Sequence, residues 1–174
     1  MKMSSLAVVA AAVVFSSGAF AQAPDDAQIA HIVVTANQID IDAGKLAKSR
    51  TKNKEVSKFA QQMITDHTAV NKQAGALAKK LGVKPEDSDT SKSLKAGAAD
   101  NMKNLKGLKG AAFDKAYVDH EVEYHQTVID AMDKTLIPSA QNAELKALLV
   151  KVRPAFVAHL DHAKQLQSSL GKQG

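Results

Sequence analysis

The strongest pattern in the 174-residue chain is a set of apolar side chains in segment 53–81 that recur every three or four positions. This spacing predicts a long amphipathic α-helix that buries one stripe of its surface. One position of the stripe is a histidine, and a protonated imidazole is costly to bury without a partner. We therefore expect His67 to be neutral and either hydrogen-bonded or bound to a ligand. The stripe consists of Val56, Phe59, Met63, His67, Val70, Ala74, Leu77 and Leu81.

Three further segments show the same periodicity. The first is predicted to run from a cap at Asp25 or Asp26 to about residue 49, and the third from about 111 to 136, before Pro138. The fourth covers about 142–170, and Pro154 is expected to bend it just before His159. Because no stretch alternates apolar and polar residues as a strand does, the sequence predicts an all-α four-helix bundle.

The connection between the second and third long helices is itself long and polar. Gly82 and Pro85 end the second helix, and Thr90 or Ser91 is expected to cap a shorter helix that reaches about Lys106. The sequence leaves two paths open for this segment, either along the length of the bundle or across one of its ends.

The first 21 residues have the features of a secretory signal peptide. A basic residue, Lys2, precedes an apolar run over residues 6–15 and a small-residue ending at Ala21. The apolar run is too short to span a bilayer, for which roughly 20 apolar residues are needed. We therefore expect residues 22–174 to form a single helical-bundle domain that is exported to the periplasm or secreted, without a transmembrane segment.

Composition excludes several kinds of chemistry. The chain has no cysteine, which rules out disulfides, thiolate metal sites, a catalytic thiol and a lipid-modified cysteine. The net charge of +5 is modest and scattered along the chain. It suits contact with an anionic cell envelope, whereas no arginine cluster or aromatic platform indicates nucleic-acid binding. The pattern does not predict whether the chain forms a homo-oligomer.

Three histidines on three different helices form the candidate site. His67, His125 and His159 lie at apolar seam positions, each very roughly 15–22 Å from one end of its helix at about 1.5 Å of rise per residue. All three can therefore meet near mid-bundle. Asp40 on the first helix and Glu121, one turn before His125, are the carboxylates best placed to join them. Imidazole with carboxylate suits a Zn, Cu or Fe ion.

Weaker candidates surround this set. Met63 lies one turn before His67 and would add a soft ligand that favours copper. Asp66 is either simply solvated or orients an imidazole from another helix. His162 either chelates together with His159 or faces water. The alternative is that each histidine simply packs in the core and hydrogen-bonds to a carboxylate or a backbone carbonyl. His31 and His120 are expected at the surface or the bundle edge.

The chain resembles an exported bacterial family, number 4142 among the domains of unknown function. The resemblance rests on three motifs: Phe59-Ala60-x-x-Met63-x-x-Asp66-His67, Phe113-Asp114-x-x-Tyr117 with His125 two turns later, and Pro154 followed by His159-Leu160-x-x-Ala163. It implies a ferritin-like bundle in which the three seam histidines matter most. Asp40 stands where many members have glutamate, and no acidic residue precedes any of the six histidines by three positions. A di-iron centre of the ferritin type, which uses Glu-x-x-His pairs, is therefore not expected.

Three functional hypotheses follow from the sequence. The first is an exported bundle, non-catalytic or weakly catalytic, that binds one transition-metal ion or another small ligand through the three histidines. The second is a structural, stress-response or interaction protein of the cell envelope in which the buried histidines only support the fold. The third, an oxidoreductase that uses the metal, requires an open coordination position and a substrate pocket.

Overall fold

The computed structural model describes residues 23–172, so the signal peptide predicted for residues 1–21 lies outside the described residues. Within this range the chain is helical and contains no strand, as predicted. The structure also contains a five-residue π-helical segment, Met132–Leu136. No described helix combines the length and the apolar character needed to cross a membrane. The helices are α1 (Asp26–Arg50), α2 (Lys54–Leu81), α3 (Asp89–Gly107), α4 (Gly110–Ala131), α5 (Ile137–Ser139) and α6 (Ala143–Gly171).

Side-chain caps fix the beginnings of four helices. Asp25, Asn53 and Asn142 accept backbone N–H groups at the starts of α1, α2 and α6. The prediction that Thr90 or Ser91 caps α3 is wrong. Ser88 is the cap, because its hydroxyl accepts the Ser91 N–H while the Ser91 hydroxyl accepts the Ser88 N–H.

Helices α1, α2, α4 and α6 form the predicted four-helix bundle. α1 and α2 pack as a hairpin, α4 and α6 pack as a second pair, and contacts of α2 with α6 and of α1 with α4 close the ring. At one end of the bundle, the Asp26 carboxylate accepts the backbone N–H groups of Gln141 and Asn142, which joins the beginning of α1 to the beginning of α6.

The position of helix α3 shows which of the two predicted paths the connection between α2 and α4 takes. Near the beginning of α1, Asp87 lies 3.3 Å from His31. Near the end of α1, the Arg50 guanidinium donates to the backbone carbonyl of Lys106 at 2.8 Å. The connection therefore runs along α1 from one end of the bundle to the other, and as a result α4 points in the same direction as α2.

The third long helix does not stop at Leu136 as predicted. The chain changes from α to π geometry at Met132 and then continues through Pro138 to Ser139. Pro138 has no backbone N–H to donate, and the change to π geometry lies directly before it. Helix α6 likewise stays helical on both sides of Pro154.

The core has three layers along the bundle axis. One apolar cluster occupies the end near the beginning of α1 and includes Ile29, Leu149 and Phe156. A second apolar cluster occupies the other end and includes Phe59 and Tyr117. Between them lies a buried layer of polar side chains contributed by all four bundle helices. This polar layer consists of Asn37, Asp40, His67, Glu121, His125 and His159.

A close contact between α1 and α2 lies one turn after Asp40. A Cβ atom added to Gly44 would be 3.0 Å from the backbone oxygen of Ala60 and 3.1 Å from Cγ1 of Ile64. The backbone atom cannot move without shifting α2, so glycine allows the two helices to approach each other here. The α1–α2 distance in turn positions Asp40 relative to His67.

We expect Gly44→Ala to lower the free energy of unfolding by about 1–3 kcal/mol, because the added methyl group forces the helices apart. The matched control is Gly75→Ala in α2, where an added Cβ meets nothing within 4 Å. That change should raise the free energy of unfolding by about 0.5–1 kcal/mol, since alanine loses less backbone entropy than glycine in a helix. Urea titrations of the two variants measure both effects, and a shift of the same sign in both would contradict the close contact.

Candidate metal centre

The imidazole rings of the three seam histidines meet in the polar layer. The ring centroids of His67, His125 and His159 lie 5.2–5.5 Å from one another. None of the three residues is more than 2% exposed. The structure thus brings together, from α2, α4 and α6, the three histidines that the sequence places at seam positions.

The tautomer of His67 follows from its neighbour on α1. The Asn37 side-chain nitrogen donates to the backbone oxygen of Val33 at 2.7 Å, which turns the Asn37 side-chain oxygen toward His67. That oxygen lies 2.7 Å from His67 Nδ1. Because the amide oxygen can only accept, His67 carries its proton on Nδ1 and has a lone pair on Nε2.

The other two histidines are arranged in the same way. His125 Nδ1 donates to the backbone oxygen of Glu121 at 3.0 Å, and His159 Nε2 donates to the Asp66 carboxylate at 2.8 Å. In each ring the second nitrogen is buried and has no hydrogen-bond partner among the described residues. These nitrogens are His125 Nε2 and His159 Nδ1, and together with His67 Nε2 they provide three lone pairs in one interior space.

Two overlapping groups of potential ligand atoms occupy this space. One ring nitrogen from each of the three histidines lies within 4.8 Å of the other two. Atoms of Asp40, Glu121 and His125 form a second group with the same spacing. Asp40 connects the groups, since its Oδ2 lies 3.2 Å from His67 Nε2 and 3.9 Å from His125 Nε2.

Burial keeps the imidazoles neutral. Desolvation, with help from the neighbouring imidazoles, lowers the pKa of His67 to about 2 and that of His125 to about 4. Burial also lowers the pKa of His159, although its hydrogen bond to the Asp66 carboxylate opposes this change. All three rings are therefore unprotonated at neutral pH on the nitrogen that faces the centre, which is the form that binds a metal ion.

Burial has the opposite effect on the two carboxyl groups. It raises the pKa of Asp40 to about 7, with hydrogen bonding to Glu121 opposing this rise. It raises the pKa of Glu121 well above the usual range, and the nearby Asp40 charge adds to that shift. In the absence of a cation and below about pH 7, protons therefore neutralise these carboxyl groups, and a bound cation can take the place of those protons.

The weaker candidates lie at the edge of the site or outside it. Asp66 holds His159 from a half-exposed position, whereas Met63 is fully buried in the apolar cluster around Phe59. His162 is separate from the three converging rings, since its Nδ1 donates to the Gln62 side chain at 3.1 Å. His120 stacks on Tyr124, and His31 lies beside Asp87 at the bundle edge.

Asn37 is the site residue that the sequence reasoning missed. It lies three residues before Asp40 on the buried face of α1 and is only 1% exposed. A polar residue one turn from a buried carboxylate is the signal that would have identified it. Its amide determines which nitrogen of His67 faces the centre.

Comparisons with known proteins agree with this fold. The model of the family described as a domain of unknown function (DUF4142) matches residues 14–166. A solved structure, CopM in the Cu(II)-bound form, superposes with a TM-score of 0.67 at 15% sequence identity. The match covers 85% of this chain and 99% of the CopM chain. No curated relative matches the chain.

The buried ionisable groups give opposite pH dependences of the free energy of unfolding. Between about pH 4 and 6.5, His67 and His125 take up protons when the chain unfolds, so their contribution to stability falls as the pH falls. Over this range the folded protein holds a proton on Asp40 that the unfolded chain releases, so the Asp40 contribution falls as the pH rises.

In the metal-free protein, Asp40→Asn removes the second of these contributions. We expect the free energy of unfolding of this variant to rise with pH more steeply than that of the wild type, by up to about 1.4 kcal/mol per pH unit. Asp161→Asn, a change at an exposed position of α6, is the control and should leave the slope unchanged. Denaturant titrations at closely spaced pH values provide the measurement, and equal slopes for Asp40→Asn and the wild type would rule out a raised Asp40 pKa.

Proposed function

The chain belongs to the DUF4142 family of unknown function, and for this member we propose that the polar layer binds one Cu(II) ion through His67, His125 and His159. The ligand atoms are His67 Nε2, His125 Nε2 and His159 Nδ1, with Asp40 Oδ2 in the fourth position. The function is reversible binding of the ion by an exported protein, and no reaction of a substrate is part of this proposal.

One observation carries the proposal: buried polar atoms face one another in the core without a hydrogen-bond partner. Within residues 23–172 these atoms are the second ring nitrogen of each of the three histidines and Asp40 Oδ2. Leaving a buried polar atom unsatisfied costs about 1–3 kcal/mol. A cation at the centre would satisfy several of these atoms at once.

The outer hydrogen bonds support the same proposal. Metal-binding histidines usually donate their second ring N–H to a carboxylate or a carbonyl group, which fixes the tautomer and the orientation of the ring. Here the Asp66 carboxylate, the Glu121 backbone carbonyl and the Asn37 amide carbonyl each accept one such N–H. A histidine that only packs in the core also needs an acceptor for its N–H, so the support comes from the second nitrogen of each ring, which is buried without a partner among the described residues.

The spacing requires a modest contraction on binding. Zn(II), with bonds of about 2.0–2.1 Å in tetrahedral geometry, would hold its ligand atoms about 3.4 Å apart. Cu(II) prefers a tetragonal arrangement, in which neighbouring ligand atoms at similar bond lengths lie about 3 Å apart. One nitrogen from each ring lies within 4.8 Å of one nitrogen of each of the other two rings, so the separations must shorten by about 1–2 Å. The side-chain torsions of three histidines on three helices can provide this movement without a change in the backbone.

The donor set limits the identity of the ion. Three neutral imidazoles and one carboxylate suit Cu(II), Zn(II) and Fe(II), and Cu(II) binds such ligands more tightly than the other two. CopM, which has a similar fold, was solved with Cu(II) bound. Cu(II) is therefore our choice, with Zn(II) and Fe(II) as the ions against which it is tested.

We expect the metal-free protein to bind one Cu(II) per chain, and His125→Ala to weaken binding by more than about 100-fold because a ligand is lost. The control is His162→Ala, which removes a histidine of α6 that is bonded to Gln62 and lies outside the three converging rings. Its affinity should equal that of the wild type. Calorimetric titration with Cu(II), Zn(II) and Fe(II), together with metal analysis after dialysis, measures both stoichiometry and affinity.

Two outcomes would contradict the proposal. If the wild type retains none of the three ions, the histidines support the fold alone, and replacing all three should lower stability without loss of a ligand. If His125→Ala binds as tightly as the wild type while His162→Ala does not, the ion lies elsewhere. Circular dichroism of each variant shows that a loss of binding is not a loss of fold.

A further inference from the structure

An apolar cavity of about 180 Å³ lies directly beside the polar layer. It is enclosed by side chains of α1, α3, α4, α6 and the π-helical segment. No charged side chain is among the described residues that line it. Most of its wall is aliphatic and includes Ile32, Val33, Val128, Leu136, Leu149 and Val152.

Two of the lining residues also contact the histidines. Phe156 lies with its ring centroid 5.0 Å from that of His67, 6.0 Å from that of His125 and 6.3 Å from that of His159. Asn37 accepts the N–H of His67. The cavity is therefore separated from the three rings by the side chain of Phe156, and a molecule inside it would touch the groups that hold His67.

The π-helical segment forms another part of the same wall. Met132, Thr135 and Leu136, three of its five residues, line the cavity. A π-helical turn is rare and frequently occurs at functional sites, because its wider turn displaces side chains from their α-helical positions. Here the departure from α geometry lies directly before Pro138 and coincides with the cavity wall.

The mouth of the cavity faces solvent. Thr90, Thr127 and Thr135 line it and are exposed, so a molecule can enter between α3 and α4. The hydroxyl groups at the mouth are uncharged, and Thr127 donates its own to the Glu123 backbone oxygen. Nothing at the entrance or in the wall would select for a charged ligand.

We propose that this cavity binds a small, uncharged, apolar molecule, and that Phe156 and Asn37 transmit its presence to the three histidines. An apolar protein cavity of about 150 Å³ has room for benzene or xenon, which indicates the size of molecule that fits. The link to the ion rests on the proposed function, whereas binding in the cavity does not.

The first test uses the metal-free protein and benzene as the probe. Benzene should raise the melting temperature of the wild type saturably, by about 4–5 °C at ten times its dissociation constant. Val128→Phe, which fills the cavity, should abolish the shift. Val150→Phe makes the same substitution at a half-exposed position outside the cavity and should retain it.

The position of the probe is measured separately by methyl NMR of the wild type. Benzene should shift the methyl signals of Val128, Leu136 and Val152, and leave those of Val118 in the other apolar cluster unchanged. This measurement shows whether benzene binds in the cavity even if Val128→Phe does not fold. Absence of a saturable shift in the wild type, or an equal shift in a folded Val128→Phe, overturns the proposal.

The second test addresses the link to the histidines. In the Cu(II)-loaded protein, saturating benzene should change the electron paramagnetic resonance spectrum of the wild type but not that of Val128→Phe. An unchanged wild-type spectrum while benzene is bound would overturn the link. If the protein binds no copper, the proposed function fails, but the benzene titration still shows whether the cavity binds an apolar molecule. The effect of benzene on the histidines is then measured from the ring NMR signals of His67.

Discussion

Three hydrogen bonds determine the tautomers of the three buried histidines at the centre of this bundle. One ring nitrogen of each histidine donates one of these bonds. Asn37, the Glu121 backbone carbonyl and Asp66 are the acceptors. Each bond fixes the proton on the outer nitrogen and leaves a lone pair on the inner one. Because burial also lowers the pKa of all three rings, the lone pairs remain available at neutral pH. Neutral imidazoles with inward lone pairs are the feature on which the proposed metal site depends.

The fold supports this arrangement at both ends. Apolar clusters above and below the polar layer exclude water, which strengthens the hydrogen bonds and raises the pKa of the carboxyl groups between them. All four bundle helices contribute to the polar layer, so its geometry depends on how the helices pack. The close approach of α1 and α2 at Gly44, one turn after Asp40, is the clearest example of such a packing constraint. Stability and site geometry are therefore coupled in this protein.

Periodicity alone was sufficient to predict the four long helices and the common depth of the three histidines. A seam position defines which side chains face the core, and at about 1.5 Å per residue it also defines their height. Three features depend on contacts between distant segments and escaped this reasoning. The path of α3 is set by contacts at both ends of α1, such as Arg50 with Lys106. The role of Asn37 depends on a residue of another helix, and the π-helical segment at Met132 has no periodic signature.

The proposed metal site requires that the inner nitrogen of each of the three histidines carries no proton. Long-range proton–nitrogen NMR of the metal-free protein, with its histidines labelled with nitrogen-15, tests this point most directly. We expect neutral rings at pH 7–8, with the proton on Nδ1 of His67 and His125 and on Nε2 of His159. A protonated, charged ring at neutral pH, or a proton on the inner nitrogen of any of the three, would contradict it.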